Sequence, residues 1–147
     1  MNRPYSRVLH RLKGAGLRPT RQRLALAKLL LENDHRHVTA EELFHEARSQ
    51  GIMVSLATIY NTLHQFTAAG LLREVVVDMG QSYFDTNTSH HHHFFDEASG
   101  KLSDIPEDQV EINRLPVPPS GQEIDRVEVI VRLRNTPSTP NAPGTKA

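Results

Sequence analysis

The stretch SLATIYNTLHQFTAAG, residues 55–70, carries two faces at helical spacing. Leu56, Ile59, Leu63 and Phe66 recur at i, i+3, i+7 and i+10, one apolar stripe. Ser55 stands where an N-cap belongs and Gly70 where a C-terminal stop belongs. Ala57, Tyr60, Asn61 and His64 fall on the other side, which is small and polar and has no acidic residue. Amide, phenol and methyl groups on one exposed helix face suit base edges in a DNA major groove.

Upstream, three more helices are predicted. Val8 and Leu12, with Tyr5 before them, form the first, which ends at Gly14-Ala15-Gly16. Thr20 caps a second, whose apolar side is Leu24, Leu26, Ala27, Leu30 and Leu31. Thr39-x-x-Glu42 is a capping box that opens a third through Leu43, Phe44 and Ala47 to Ser49. Downstream the period changes to that of a strand. Leu72 to Val77 is valine-rich, Asp78-Met79-Gly80 is a turn signal, and Gln81 to Asp85 completes a hairpin. Three helices, a fourth with a polar outer face and then a hairpin give the order of a winged helix-turn-helix.

The net charge of the 147 residues is zero, but residues 1–75 hold 11 Lys/Arg against 6 Asp/Glu, a surplus of five positive charges that the remainder balances. A basic half suits phosphates, and an acidic half suits a cation or a partner. There is no cysteine, so disulfides and thiolate zinc sites are excluded. No segment has the apolar length of a membrane span or a secretory signal, and a cytoplasmic protein is expected.

His90-His91-His92-His93 follows the hairpin. On a strand, side chains alternate, so His91 and His93 share one face and His90 and His92 the other. One segment then offers a ligand pair to each of two sites, for Fe, Mn or Zn ions or for haem iron. A turn at Ala98 to Lys101 and a strand to Ile105 should follow. Pro106 should start a brief helix through Val110 and Ile112, and a strand is expected from Ile124 to Arg132. The predicted class is α+β. A winged helix-turn-helix domain (1–86) and a hinge (87–89) precede a small α/β domain for dimerisation and metal or haem binding (90–135), with a disordered tail (136–147). The second domain is small enough that a second copy would help bury its apolar face.

Several of these segments resemble the ferric uptake regulator family in the family's own order. They are Leu17-Arg18-Pro19-Thr20-x-x-Arg23, His37-Val38-x-Ala40-Glu41-Glu42-Leu43, Leu56-Ala57-Thr58-Ile59-Tyr60, and the histidine run followed by Gly100-Lys101. The resemblance covers roughly residues 5–134. It implies an iron-responsive transcription regulator, not an enzyme, that binds a double-stranded, A/T-rich inverted repeat as a homodimer. It implies a regulatory metal site of His37, Asp85, His91, His93 and Asp104, and a second metal or haem site of His90, His92 and Glu111. The expected DNA-binding set is Ser55, Ala57, Thr58, Tyr60, Asn61 and His64 with Arg18, Arg21 and Arg23, and the resemblance implies Tyr60 on thymine methyls and the arginines on phosphates.

The departures are informative. Asp96 and Ser99 stand where many relatives carry a C-x-x-C pair, so a structural zinc held by four cysteines is excluded. Val127 stands near where a further histidine is usual, and Asn61 where arginine is common. A cysteine-free member with a histidine cluster is most similar to the iron response regulator of rhizobia and related alpha-proteobacteria. That branch implies haem control at the histidines, with a haem-delivering protein as a partner. Metal-activated repression in response to Mn, Zn or peroxide is the alternative within the family. Outside it stands a metal-binding or metalloenzyme module without a DNA role, for which the chain has no H-E-x-x-H and no nucleophile motif.

Overall fold

The computed structural model describes residues 5–78 and 80–137. Most of the expected disordered tail, residues 138–147, lies outside the described residues. The chain divides into two compact units, Met1–Ser89 and His90–Ala147.

The first unit contains helices α1 (Ser6–Gly14), α2 (Arg21–Leu31), α3 (Ala40–Ser49) and α4 (Leu56–Ala68), and strands β1 (His37–Val38), β2 (Arg73–Asp78) and β3 (Gln81–Asp85). The expected N-caps are in place. The side chains of Thr20, Thr39 and Ser55 accept from the backbone N–H groups of Arg23, Glu42 and Thr58. At α3 the box is reciprocal, because Thr39 N–H donates to Glu42 Oε1 at 3.0 Å. Thr39→Ala should therefore lower unfolding stability by about 1 kcal/mol. A urea midpoint identical to that of the wild type would mean that the box contributes nothing.

Helix α4 stops because Gly70 takes φ +82°. That conformation lets Gly70 N–H reach Thr67 O and Leu71 N–H reach Phe66 O. The apolar stripe faces inward: Ile59, Leu63 and Phe66 pack with Leu12, Leu26, Leu30, Leu43 and Phe84 in one buried cluster. Strands β2 and β3 form the hairpin, and β1 pairs with the other edge of β3 in antiparallel register, His37 opposite Asp85. Sequence periodicity does not show β1, since a two-residue strand exists only through its partner.

The second unit is a three-stranded sheet in the order β5-β4-β6, with β4 (His92–Asp96), β5 (Lys101–Ile105) and β6 (Ile130–Leu133). Strands β4 and β5 are antiparallel, and β4 and β6 are parallel. Phe95, Leu102 and Ile105 are its buried apolar side chains among the described residues. The structure departs from two of the expected elements. The helix through Val110 and Ile112 is instead a single 3-10 turn, Glu107–Gln109, after which Val110 is extended. Val110 and Ile112 are two residues apart, a spacing that puts them on opposite sides of a helix and leaves no apolar stripe to bury. The last strand begins at Ile130 rather than Ile124. Among the described residues its neighbour in the sheet is β4, whose pairing with it runs from His93–Ile130 to Asp96–Leu133. A strand cannot extend past the end of its partner's ladder. Among the described residues, no helix is long and apolar enough to cross a membrane.

Candidate metal centre and nucleic-acid face

In the first unit, the β1–β3 register sets His37 against Asp85, with Nε2 and Oδ2 3.2 Å apart. Asp85 is 1% exposed. A buried carboxylate is costly without partners. The backbone N–H of Asn87 donates to its other oxygen at 2.9 Å, so the oxygen facing His37 is held in a fixed direction.

In the second unit, the expected alternation is observed. The rings of His91 and His93 lie 4.6 Å apart on one face of the strand, and those of His90 and His92 lie 5.1 Å apart on the other. His93 is opposite Asp104 in the β4–β5 ladder. Asp104 Oδ1 is 3.3 Å from His91 Nε2 and 3.6 Å from His93 Nε2. Two imidazole nitrogens thus converge on one carboxylate oxygen. Both histidines are buried, while the Asp104 side chain is 45% exposed. Among the described residues, His37 and Asp85 of the first unit and His91, His93 and Asp104 of the second are histidines and carboxylates that could each offer a ligand atom to an ion. Imidazole nitrogen with carboxylate oxygen fits Fe, Mn or Zn.

The opposite face is built differently. His90 Nδ1 is 3.3 Å from Glu107 Oε1. His92 Nδ1 accepts the Val129 backbone N–H at 3.1 Å. A neutral imidazole that accepts at Nδ1 carries its proton on Nε2, so in this arrangement His92 fastens the approach to β6. Glu107 is the carboxylate beside His90, while Glu111 is exposed four residues on. Sequence reading missed Glu107, although its place one residue after Pro106, at the end of β5, was a usable signal.

On α4, Ala57, Tyr60, Asn61 and His64 are exposed, as the two-face pattern requires. The Ser55 hydroxyl is occupied at the cap, where it also donates to Thr58 Oγ1 at 3.0 Å. The Tyr60 hydroxyl donates to Glu41 Oε1 at 2.7 Å. The bond to that carboxylate pushes the phenol up from its usual value. Arg18 and Arg21 are exposed. Arg23 is half-buried and donates to Arg18 O and to Gln65 Oε1, each at 3.0 Å, so it ties α2 to α4.

A winged helix-turn-helix unit joined to a histidine- and aspartate-bearing metal centre defines the metal-responsive transcription regulators. The model of the ferric uptake regulator family matches residues 14–131, and the chain belongs to that family. It is 38% identical over 101 residues to the ferric uptake regulation protein of Shigella flexneri, covering 68% of each chain. It is 38% identical over 105 residues to the peroxide-responsive repressor PerR of Staphylococcus aureus, covering 71% of this chain and 70% of the repressor. The ferric uptake regulator of Pseudomonas aeruginosa with manganese superposes with a TM-score of 0.68 at 25% identity, over 88% of this chain and 98% of that one. Members of the family are transcription regulators and not enzymes.

Proposed function

We propose that this chain is a cytoplasmic, iron-responsive transcription regulator that binds an A/T-rich inverted repeat as a homodimer. In this reading residues 1–86 read DNA, 87–89 are the hinge, and 90–135 bind the ion and dimerise. One divalent cation is held jointly by His37, Asp85, His91, His93 and Asp104. When bound, the ion would supply positive charge for these carboxylate oxygens and imidazole nitrogens to share. Binding it fixes the two units in the geometry that fits two successive major grooves. The observation that carries this reading is the convergence of His91 and His93 on a single Asp104 oxygen.

Carboxylate donors favour a small divalent ion over haem, whose iron takes one or two axial side chains. Control by haem, as in the iron response regulator branch, is the second reading, and the histidine run itself favours it. The His90 and His92 face, with Glu107 or Glu111, is its candidate site.

A gel-shift titration on an A/T-rich inverted repeat at fixed salt, with chelator, Mn²⁺, Fe²⁺ or haem, tests both. Binding that requires added divalent metal supports the first reading. Binding that survives chelator and is lost with haem supports the second. No selective binding under any condition overturns the DNA role.

Within the DNA-reading unit, the exposed Tyr60 ring is the side chain on α4 best suited to thymine methyls. Tyr60→Ala should weaken operator binding by about 1–3 kcal/mol and leave random-sequence binding nearly unchanged. Equal loss on both DNAs would assign Tyr60 to the backbone.

A further inference from the structure

Arg36 and Thr86 stand immediately beside two candidate ligands, Arg36 before His37 and Thr86 after Asp85. They are bonded to each other in both directions. Arg36 N–H donates to Thr86 Oγ1 at 2.9 Å, and Thr86 N–H donates to Arg36 O at 3.0 Å. This exchange extends the β1–β3 ladder by one step and holds His37 opposite Asp85.

The Arg36 side chain runs toward the helices. Its Nη1 and Nη2 donate to Glu46 Oε1 and Oε2 at 2.9 and 2.7 Å, and Nη1 also reaches Leu29 O at 3.3 Å. Glu46 belongs to α3 and Leu29 to α2. A two-pronged guanidinium–carboxylate pair fixes direction as well as distance, which a single ammonium contact does not. Both side chains are about two-thirds buried, at 31% and 33% exposure. Arg36 accordingly holds the Glu46 carboxyl below the usual carboxylate range. On its other side, His37 is only two residues from the capping box of α3. The chain carrying this ligand is thus anchored to the same helix at both ends.

We infer that Glu46 is a positioning residue for the metal centre: through Arg36 it fixes the main chain that presents His37, although it touches no ligand itself. The inference rests on the metal-responsive reading above. A ligand left to wander must be ordered when the ion binds, and that cost weakens affinity.

The test measures Mn²⁺ affinity of the full-length chain by competition with a chromogenic chelator, well below every variant's thermal midpoint. Glu46→Gln keeps the shape and removes the charge. Arg36→Lys keeps the charge and removes the fork. Lys28→Ala breaks a different ion pair of the same unit, Lys28–Glu32 at 3.9 Å, and serves as the control. Glu46→Gln and Arg36→Lys should each weaken Mn²⁺ binding about tenfold, as loss of an outer partner of a ligand does. The double variant should be little worse than either single one, because both break the same pair. Lys28→Ala should bind Mn²⁺ as the wild type does. Unchanged Mn²⁺ affinity in Glu46→Gln and Arg36→Lys, with only the thermal midpoint lowered, would make the pair a helix staple and overturn the inference. A wild-type chain without histidine-dependent Mn²⁺ binding would overturn the metal reading and the inference together.

Discussion

Replacing His91 and His93 together by alanine should weaken divalent-metal binding by more than about 100-fold, since even outer-partner losses reach that size. With it should go any dependence of DNA binding on added metal. The two Nε2 atoms share one oxygen of Asp104, so they act as a unit, and neither alone can replace the pair. The fold should survive. Both histidines are side chains of one sheet face in the second unit, whereas the hydrophobic cluster formed by α1 to α4 lies in the first. The check is Mn²⁺ titration beside far-UV circular dichroism. Metal affinity within a few-fold of the wild type, in a chain of unchanged helicity, would remove these residues from the ligand set. His90→Ala is the contrast. It stands on the other face with Glu107, and under the single-ion reading it leaves Mn²⁺ affinity intact.

How much of this was legible in the sequence follows from how local each signal is. The alternation of the histidines needs only the two-residue period of a strand, and it is seen in the ring pairs. The caps at Thr20, Thr39 and Ser55 bond to donors three residues on, so sequence alone places them. The stripe of α4 needs only the helical period. Contacts that depend on distant partners were not legible. The strand at His37–Val38 is created by β3. The commitment of Arg23 to Gln65 spans 42 residues, and nothing in a basic helix N-terminus distinguishes that role from a phosphate contact. The end of the chain misled for a related reason. Val127, Val129 and Val131 alternate like a strand, but the ladder with β4 begins only at Ile130, with Val129 bonded to His92 and His93 at its edge. Glu107 and Glu111 are equally acidic to the eye, and the 3-10 turn decides which one lies beside His90.

Phe66→Ala should be the most damaging single change in the first unit. Phe66 is 0% exposed and is among the largest fully buried side chains. It lies in the same cluster as Leu63 on its own helix, Leu12 and Leu30 from α1 and α2, and Phe84 from β3. Truncation removes the ring and leaves a cavity that these neighbours fill only in part, at a cost of about 3–5 kcal/mol. Against a total stability of roughly 5–15 kcal/mol for an ordinary domain, that is a large fraction. Urea unfolding should show a lower midpoint with an unchanged slope, because the surface exposed on unfolding is nearly the same. Operator binding should fall on warming as the folded population shrinks, and Mn²⁺ binding that uses His37 should fall in parallel. Tyr60→Ala, six residues back on the opposite face, should lower unfolding stability by no more than about 1 kcal/mol, the size of its exposed hydrogen bond to Glu41. The pair therefore separates the two faces of α4 by experiment, one that holds the helix in place and one proposed to read DNA. A Phe66→Ala loss below about 1 kcal/mol, or a Tyr60→Ala loss of similar size to it, would contradict the division of α4 into a packing face and a reading face.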